Sequence, residues 1–335
     1  MVASMLLSIV VIGRNEVTNV ARLGRSLVDV VSHFGTMCET IYVDSASSDG
    51  TPEAAKQYFS RVVVLEEHPD LSASAGRQVG MSLAHGDWVL HMDGDMELHP
   101  AFARWLVLTD LSGESAAGIV GYGIDVFPSG LHRKWTEGKL ISGEFVRYFG
   151  GAVLLRRDAA LAAGNWDPRI VSNEEIELYT RIRANHGLIR FVGVDMVLHH
   201  TEQPRRWHTF LGLLSPKVSG TRYFGFGQVI RTRLLSHSFM SLVRFFPYPF
   251  VWWCVLAASL SLAFARLWFA SLVVLVAGVL YVVTMKGWQF LLVYFFMFMQ
   301  AVRGYGHLDR SFRPRIASDW SSGQDGQGSN CVGDL

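Results

Sequence analysis

No aspartate or glutamate occurs between Glu202 and Asp309. This gap divides the chain. Residues 203–244 hold seven Lys/Arg and no acid, a net of +7, and from Phe246 to Val302 the only charges are Arg266 and Lys286. A basic stretch that runs into apolar sequence of hydrocarbon length reads as a segment on a membrane surface, facing anionic lipid. Residues 1–202 are the opposite, with 25 acids against 17 Lys/Arg, and the net charge of +1 hides this asymmetry. Half of the residues are apolar and 18% are charged, where about a quarter is usual. Disorder and fibrous repeats are excluded. The 335 residues allow one soluble domain of about 200 residues plus a membrane part. Basic residues also suit nucleic acid, but here they lead straight into apolar sequence, so no nucleic-acid partner is expected.

Cys38, Cys254 and Cys331 are far apart and odd in number. They have no metal-ligand spacing and suggest no disulfide framework, which fits a reducing compartment. Met1–Ser8 lacks a basic leader, and the apolar run Leu6–Ile12 ends in Gly-Arg-Asn-Glu rather than a small-residue cleavage site. The acidic domain is therefore expected in the cytoplasm.

Within that domain, short β-rich runs alternate with helical patterns. Strands are predicted at Leu6–Ile12, Thr40–Asp44, Val62–Glu66 and Trp88–Met92, and helices at Asn19–Ser32, Thr51–Phe59 and Ser72–Ala84. Further strands are expected at 117–127 and 147–156, a loop at 128–146, a helix at Asn173–Asn185 and a strand or two over Ile189–His199. Such alternation with short connections means a mostly parallel α/β sheet with right-handed crossovers. Ligands bind such sheets beyond the carboxyl ends of the strands, so the residues just after each strand are the informative ones. These are Arg14-Asn15-Glu16, Asp44–Thr51 and Asp93-Gly94-Asp95. Asp44–Thr51 is also what a turn and helix cap would use. Asp93 and Asp95, separated by glycine, can present oxygens to one hard divalent cation. Asn173-Glu-Glu-Ile-Glu177 opens a helix with three acids. They suit the helix dipole, and one of them can serve as a general base. Glu177 and Arg181 are spaced to pair along the helix.

Taken in order, Val10-Val-Ile-Gly-Arg-Asn-Glu16, Tyr42-Val-Asp-Ser-Ala-Ser-Ser-Asp-Gly-Thr51, Ala75-Gly-Arg77, Trp88-Val-Leu-His-Met-Asp-Gly-Asp95, Gly150-Gly-Ala-Val-Leu-Leu-Arg156, Gly164-Asn-Trp-Asp167 and Asn173-Glu-Glu-Ile-Glu-Leu178 resemble the family 2 glycosyltransferases of the GT-A fold. The resemblance covers about residues 5–202. It implies an inverting enzyme that uses a nucleotide-sugar donor with Mg²⁺ or Mn²⁺. Asp44 resembles the nucleobase-binding Asp. Arg77 matches the arginine near the nucleotide, although Gln78 replaces the following Asn. Asn15, Glu16, Asp44, Arg77 and Asp93 are the candidates on the donor side. Asp93 and Asp95 match the metal-binding Asp-x-Asp, and His199 or His200 resembles the histidine that completes the metal site. Glu175 stands where the family places its catalytic base, as Glu instead of Asp, with Glu174 as its substitute. Inversion is a single in-line displacement. It needs a carboxylate to take the acceptor's proton and a cation to meet the charge on the leaving diphosphate.

Gln203-Pro-Arg-Arg-Trp207 fits the Gln-x-x-Arg-Trp of processive polysaccharide synthases. Gln203, Arg206 and Trp207 read equally as the start of the interfacial segment. Tyr223–Arg231 resembles a segment that follows the catalytic domain in bacterial exopolysaccharide glycosyltransferases. The expected organisation is a cytoplasmic catalytic domain over 1–202, a basic amphipathic interfacial segment over 203–245, transmembrane helices within 246–303, and a tail over 304–335 that is disordered from about 318. Spans are expected at about Tyr248–Ala265 and Leu267–Thr284, with Trp288–Val302 lying in the interface or crossing. The implied function is transfer of a sugar to a lipid-linked polyprenyl acceptor at the bacterial inner membrane. The alternatives are synthesis of a lipid-phosphate sugar and, from another class, an inactive membrane scaffold.

Overall fold

The computed structural model describes residues 6–135, 141–146, 148–201, 218–236, 238–245, 247–286, 289–309 and 311–322. The chain divides into two compact units, Met1–Gln203 with Asp309–Leu335, and Pro204–Leu308.

The first unit is built on a ten-stranded mixed sheet. It comprises β1 (Leu7–Gly13), α1 (Val17–Phe34), β2 (Cys38–Asp44), α2 (Thr51–Ala55), β3 (Arg61–Leu65), α3 (Ala73–Leu83), β4 (Trp88–Asp93), β5 (Met96–Leu98), α4 (Pro100–Leu108), β6 (Gly118–Val126), β7 (His132–Lys134), β8 (Val153–Arg156), α5 (Arg157–Ala162), α6 (Glu174–Ala184), β9 (Ile189–His200) and, from the far end of the chain, β10 (Ile316–Ser321). The order is β10-β3-β2-β1-β4-β8-β6-β9-β5, with β7 pairing β6.

Leu7–Ile12 is buried along its whole length, because helices cover both faces of a central parallel strand. On one face α1 buries Val20, Leu23, Leu27 and Val30, the helical spacing of an apolar stripe. On the other face Gly80 of α3 lies against Val10, where an added Cβ would come within 2.3 Å of that side chain. Strands β3, β2, β1 and β4 run parallel. Strand β8 is antiparallel to both β4 and β6, and β9 runs parallel to β6. The carboxyl ends of β1, β2, β4, β6 and β9 therefore share one edge of the sheet. The sheet is less uniformly parallel than the alternation predicts, since β5, β7, β8 and β10 run antiparallel to their neighbours.

Two expectations are corrected here. The segment 128–146 is not loop throughout, because His132–Lys134 pairs with β6. The tail does not lose order at 318, because Ile316–Ser321 pairs antiparallel with β3. Arg61 holds Asp319 through two hydrogen bonds of 3.0 and 2.6 Å, and Trp320 packs against the core. A Ser/Asp-rich composition says little about a segment that covers an otherwise open sheet edge.

The second unit contains α7 (Val218–Arg233), α8 (Phe239–Phe245), α9 (Pro247–Phe264), α10 (Trp268–Lys286) and α11 (Gln289–Gly306). The expected amphipathic character is absent from α7, where Gly225–Val229 are buried in succession. Glycines let α7 and α11 approach closely, with an added Cβ at Gly227 only 1.9 Å from the Ala301 carbonyl oxygen. Arg231 donates to the carbonyls of Tyr305 at 2.8 Å and Gly306 at 3.1 Å, so one of the basic residues caps a helix end. Among the described residues one helix, Pro247–Phe264, is long and apolar enough to cross a membrane. Two spans were expected, but the apolar stretch Trp268–Thr284 is shorter.

Candidate active site

The loops after β1 and β2 are laced together. Asn15 is left-handed, with φ 59°. Its amide donates to Ser47 Oγ at 2.7 Å, and its Oδ1 accepts from the Ser48 amide at 3.0 Å. The Glu16 amide donates to Thr51 Oγ1 at 2.8 Å, and its carboxylate accepts from Asn19 Nδ2 at 2.5 Å. Burial raises the Glu16 pKa against that hydrogen bond, and Asp95 adds to the rise. Asp44 is fully buried. Its two oxygens accept from the Ser47 amide at 2.7 Å and from Ser47 Oγ at 2.6 Å. The geometry uses Asp44 as a turn former, the role open to Asp in such a loop.

The centre of the site is Arg77, 2% exposed on α3. It bonds Glu174 Oε1 through Nη1 and Asp93 Oδ1 through Nη2 at 2.6 Å, and lies 3.7 Å from Glu175 Oε1. Its guanidinium sits 5.2 Å from the Trp166 ring, a stacking contact that holds a planar cation. Two glycines make room for these charges. A Cβ at Gly151 would lie 2.2 Å from Asp93 Oδ2, and one at Gly94 would lie 2.8 Å from Glu16 Cγ. Burial pushes the Asp93 carboxyl up to about 6 despite Arg77. Glu174 and Glu175 start α6 behind Asn173, which is left-handed at φ 63°. Glu174 is buried, whereas the Glu175 side chain is 19% exposed. Burial, then the charge of Glu174, pushes Glu175 up to about 8. Glu177 instead pairs with Arg181 at 2.9 Å, a structural brace.

Asp95 lies beyond β4, facing His199 of β9, with Asp95 Oδ2 3.2 Å from His199 Nε2. His200 points elsewhere, onto Glu97. The other ring nitrogen of His199 is 2.9 Å from Asp125 Oδ1. Burial alone would lower the imidazole's pKa, but Asp95 and Asp125 raise it to about 9. Among the described residues no three Asp, Glu, His or Cys side chains form a ready metal cage. Asp93 is turned to Arg77 instead of completing a set with Asp95 and His199. The residues nonetheless fit a divalent cation. Asp95 Oδ1 is buried with no hydrogen-bond partner, a costly state unless something else binds it. Carboxylate and imidazole are also a donor set that such ions accept.

Gln203, Arg206 and Trp207 lie outside the described residues. Sequence reasoning passed over Asp125, although it is next to last in a strand that ends on the same sheet edge as Asp93. The predicted strand 117–127 held the signal. It also missed Trp166 as the plate beneath Arg77, which needs the fold to bring residues 77 and 166 together.

Comparison with known proteins agrees with this arrangement. The profile described as Glycosyl transferase family 2 matches residues 8–185. An uncharacterised glycosyltransferase of Rickettsia felis is 34% identical over 92 residues, 28% of this chain and 29% of that protein's length. Among solved structures, S. aureus TarS 1–349 superposes with a TM-score of 0.52 at 15% identity, covering 71% of this chain and 66% of the other. The mannosyltransferase PcManGT of Pyrobaculum calidifontis, solved with GDP-Man and Mn²⁺, gives 0.52 at 15% identity over 90% and 87%. At this identity the two structures speak for the shared fold. The profile covers more than half of the chain, from the first strand through the acidic helix that carries Glu175, and the chain belongs to glycosyl transferase family 2.

Proposed function

We propose that this protein transfers a sugar, with inversion, from a nucleotide-sugar donor to a hydroxyl of a membrane-borne acceptor. The observation that carries the reading is the charge balance beyond β4. One buried cation, Arg77, serves Asp93, Glu174 and Glu175, and Asp95 stands beside them with a buried oxygen unbonded. So many carboxylates with so little compensation are unfavourable without further positive charge. Asp95 and His199, with Asp93 after release from Arg77, would hold a Mg²⁺ or Mn²⁺ ion. When bound, such an ion neutralises a leaving diphosphate. A nucleotide sugar as the donor is supported by TarS, solved with UDP-GlcNAc, and by PcManGT, solved with GDP-Man.

Glu175 is the base. It is the partly exposed member of the acidic pair, and its raised pKa suits a group that takes the acceptor hydroxyl's proton as the new bond forms. Glu174 holds Arg77, and Arg77 holds Asp93. That chain of contacts fixes the base relative to the donor side. No covalent intermediate on the protein is needed.

A membrane-borne acceptor is supported by the apolar helix α9 and by the seven Lys/Arg of residues 203–244. The 18 residues of α9 span about 27 Å, close to a hydrocarbon core of about 30 Å. Because β10 pairs with β3, the chain enters and leaves Pro204–Leu308 on one side of any membrane. We therefore infer an even number of crossings within Pro204–Leu308. A lipid-linked saccharide destined for a surface polysaccharide is the acceptor class we favour.

The test is a donor panel: purified protein in lipid, nucleotide sugars, Mn²⁺ or Mg²⁺, and polyprenyl-linked acceptors. Metal-dependent release of nucleoside diphosphate that rises with acceptor is the expected result. Undiminished turnover in excess EDTA would remove the metal, and absence of transfer from every donor would return the chain to a scaffold.

A further inference from the structure

We infer that Asp125 is a positioning residue for His199. It fixes the tautomer and direction of that imidazole so that Nε2 presents a lone pair to a cation shared with Asp95. The inference rests on the metal-dependent reading above.

Asp125, next to last in β6, lies directly opposite His199 in the ladder. It is 4% exposed, and donors surround its carboxylate. Oδ1 lies 2.9 Å from His199 Nδ1 and accepts from Trp135 Nε1 at 2.6 Å. Oδ2 accepts from Arg133 Nε at 3.1 Å and from Nη2 at 2.6 Å. An ionised carboxylate only accepts hydrogen bonds, so Nδ1 must carry the proton. In the neutral ring Nε2 then bears the lone pair, and it lies 3.2 Å from Asp95 Oδ2. Two acceptors at that distance repel unless a cation or a proton lies between them. A carboxylate behind a histidine ligand is how metal sites set ring orientation and basicity.

The ring is also held sideways. Trp135 meets His199 edge-on, with centroids 5.6 Å apart. The Trp135 ring occupies the space over Gly123, where a Cβ would come within 2.1 Å of it. Its amide donates to the Gly123 carbonyl at 2.7 Å. The hairpin of β6 and β7 thus delivers a carboxylate and a flat wall to one imidazole, and an indole N–H to that carboxylate. Arg133 and Trp135 hold the carboxylate in place, and the contact it makes toward the cation side is the one to His199 Nδ1.

The experiment is Mn²⁺ binding to the full chain in lipid nanodiscs, read by the electron paramagnetic resonance signal of free Mn²⁺. Asp125→Asn keeps the shape but removes the charge, and we expect the Kd to rise about 10–100-fold. Trp135→Phe, which removes one donor to Asp125 and keeps an aromatic wall, should cost less. A Kd unchanged in Asp125→Asn but lost in His199→Ala overturns the inference and leaves the metal reading intact. No Mn²⁺ binding by the wild type overturns both. Should Asp125→Asn fail to fold, ¹⁵N-histidine spectra of the wild type decide. A His199 ring protonated at Nδ1, with Nε2 broadened first by Mn²⁺, supports the inference, and the opposite tautomer ends it.

Discussion

Two aspartate-rich turns follow the parallel strands on either side of β1, Asp44–Thr51 at the end of β2 and Asp93-Gly94-Asp95 at the end of β4. In sequence they look equally suited to binding a ligand. In the fold they are opposites. Asp44 is closed on itself, with both oxygens bonded to Ser47. Asp93 depends on an arginine shared with two glutamates, and Asp95 keeps a buried oxygen with no partner. A turn that satisfies its own polar groups stabilises the fold. A turn that leaves them unsatisfied stores a demand for charge, and such a demand marks a place for a ligand.

The largest effect should come from the unsatisfied side. Glu175→Gln keeps shape but cannot take a proton, so transfer should fall about 10²–10⁴-fold while nucleoside diphosphate binding by calorimetry is retained. Near wild-type transfer by that variant, with loss in Glu174→Gln, would move the base by one residue. Asp95→Asn should lower transfer about 10²–10³-fold, the scale for losing one electrostatic contact to the transition state, with little change in the thermal midpoint.

The pH profile sharpens the same point. A base raised to about 8 must be ionised to act, so the wild-type rate should climb with pH and level off above about that value. Removing the neighbouring charge in Glu174→Gln should shift this limb to lower pH. It should also cost up to about 3 kcal/mol of stability, because Arg77 loses a buried partner. A limb that does not move assigns it to a different group.

The satisfied side should answer in stability. Asp44→Ala should lower unfolding free energy by about 1–3 kcal/mol, the cost of stranding a buried donor. Nucleotide affinity should be retained. A lost affinity at an unchanged midpoint would restore Asp44 to the nucleobase. Asp167 belongs with Asp44. Burial would raise its pKa, but Arg169, bonded at 2.7 and 2.6 Å, wins and holds it low. Stability from a depressed carboxyl is present above the unfolded pKa of about 3.9 and is lost as pH falls through the folded value. Asp167→Asn should therefore cost about 1–2 kcal/mol at pH 7 and progressively less as pH falls below the unfolded pKa of about 3.9, measured by urea unfolding.

Much of this was legible in the chain. The run Leu6–Ile12 reads as a covered central strand because burial on both faces demands continuous apolar residues. Asp93 and Asp95 read as site residues because strand ends in parallel sheets converge, and Arg77 through the family resemblance. The order of Asn173-Glu174-Glu175 marks a helix start, since acids suit that dipole. What stayed hidden depends on partners distant in sequence. His91, wholly buried on β4, sits edge-on to Trp166 at 5.4 Å, behind the arginine. Asp125 shows its purpose only beside His199.

The sequence alone determined the alternation of strands and helices, the carboxylates at their ends and the division into an acidic unit and an apolar one. These follow from periodicity and charge, which are local properties. Tertiary structure decided which acids are satisfied. It gave Asp44 to Ser47, gave Glu174 and Asp93 to Arg77, and left Asp95 waiting. It also returned Ile316–Ser321 to the sheet as its edge strand. Those outcomes turn on which side chains meet across tens or hundreds of residues, and on hydrogen bonds and burial that exist only once the sheet has formed.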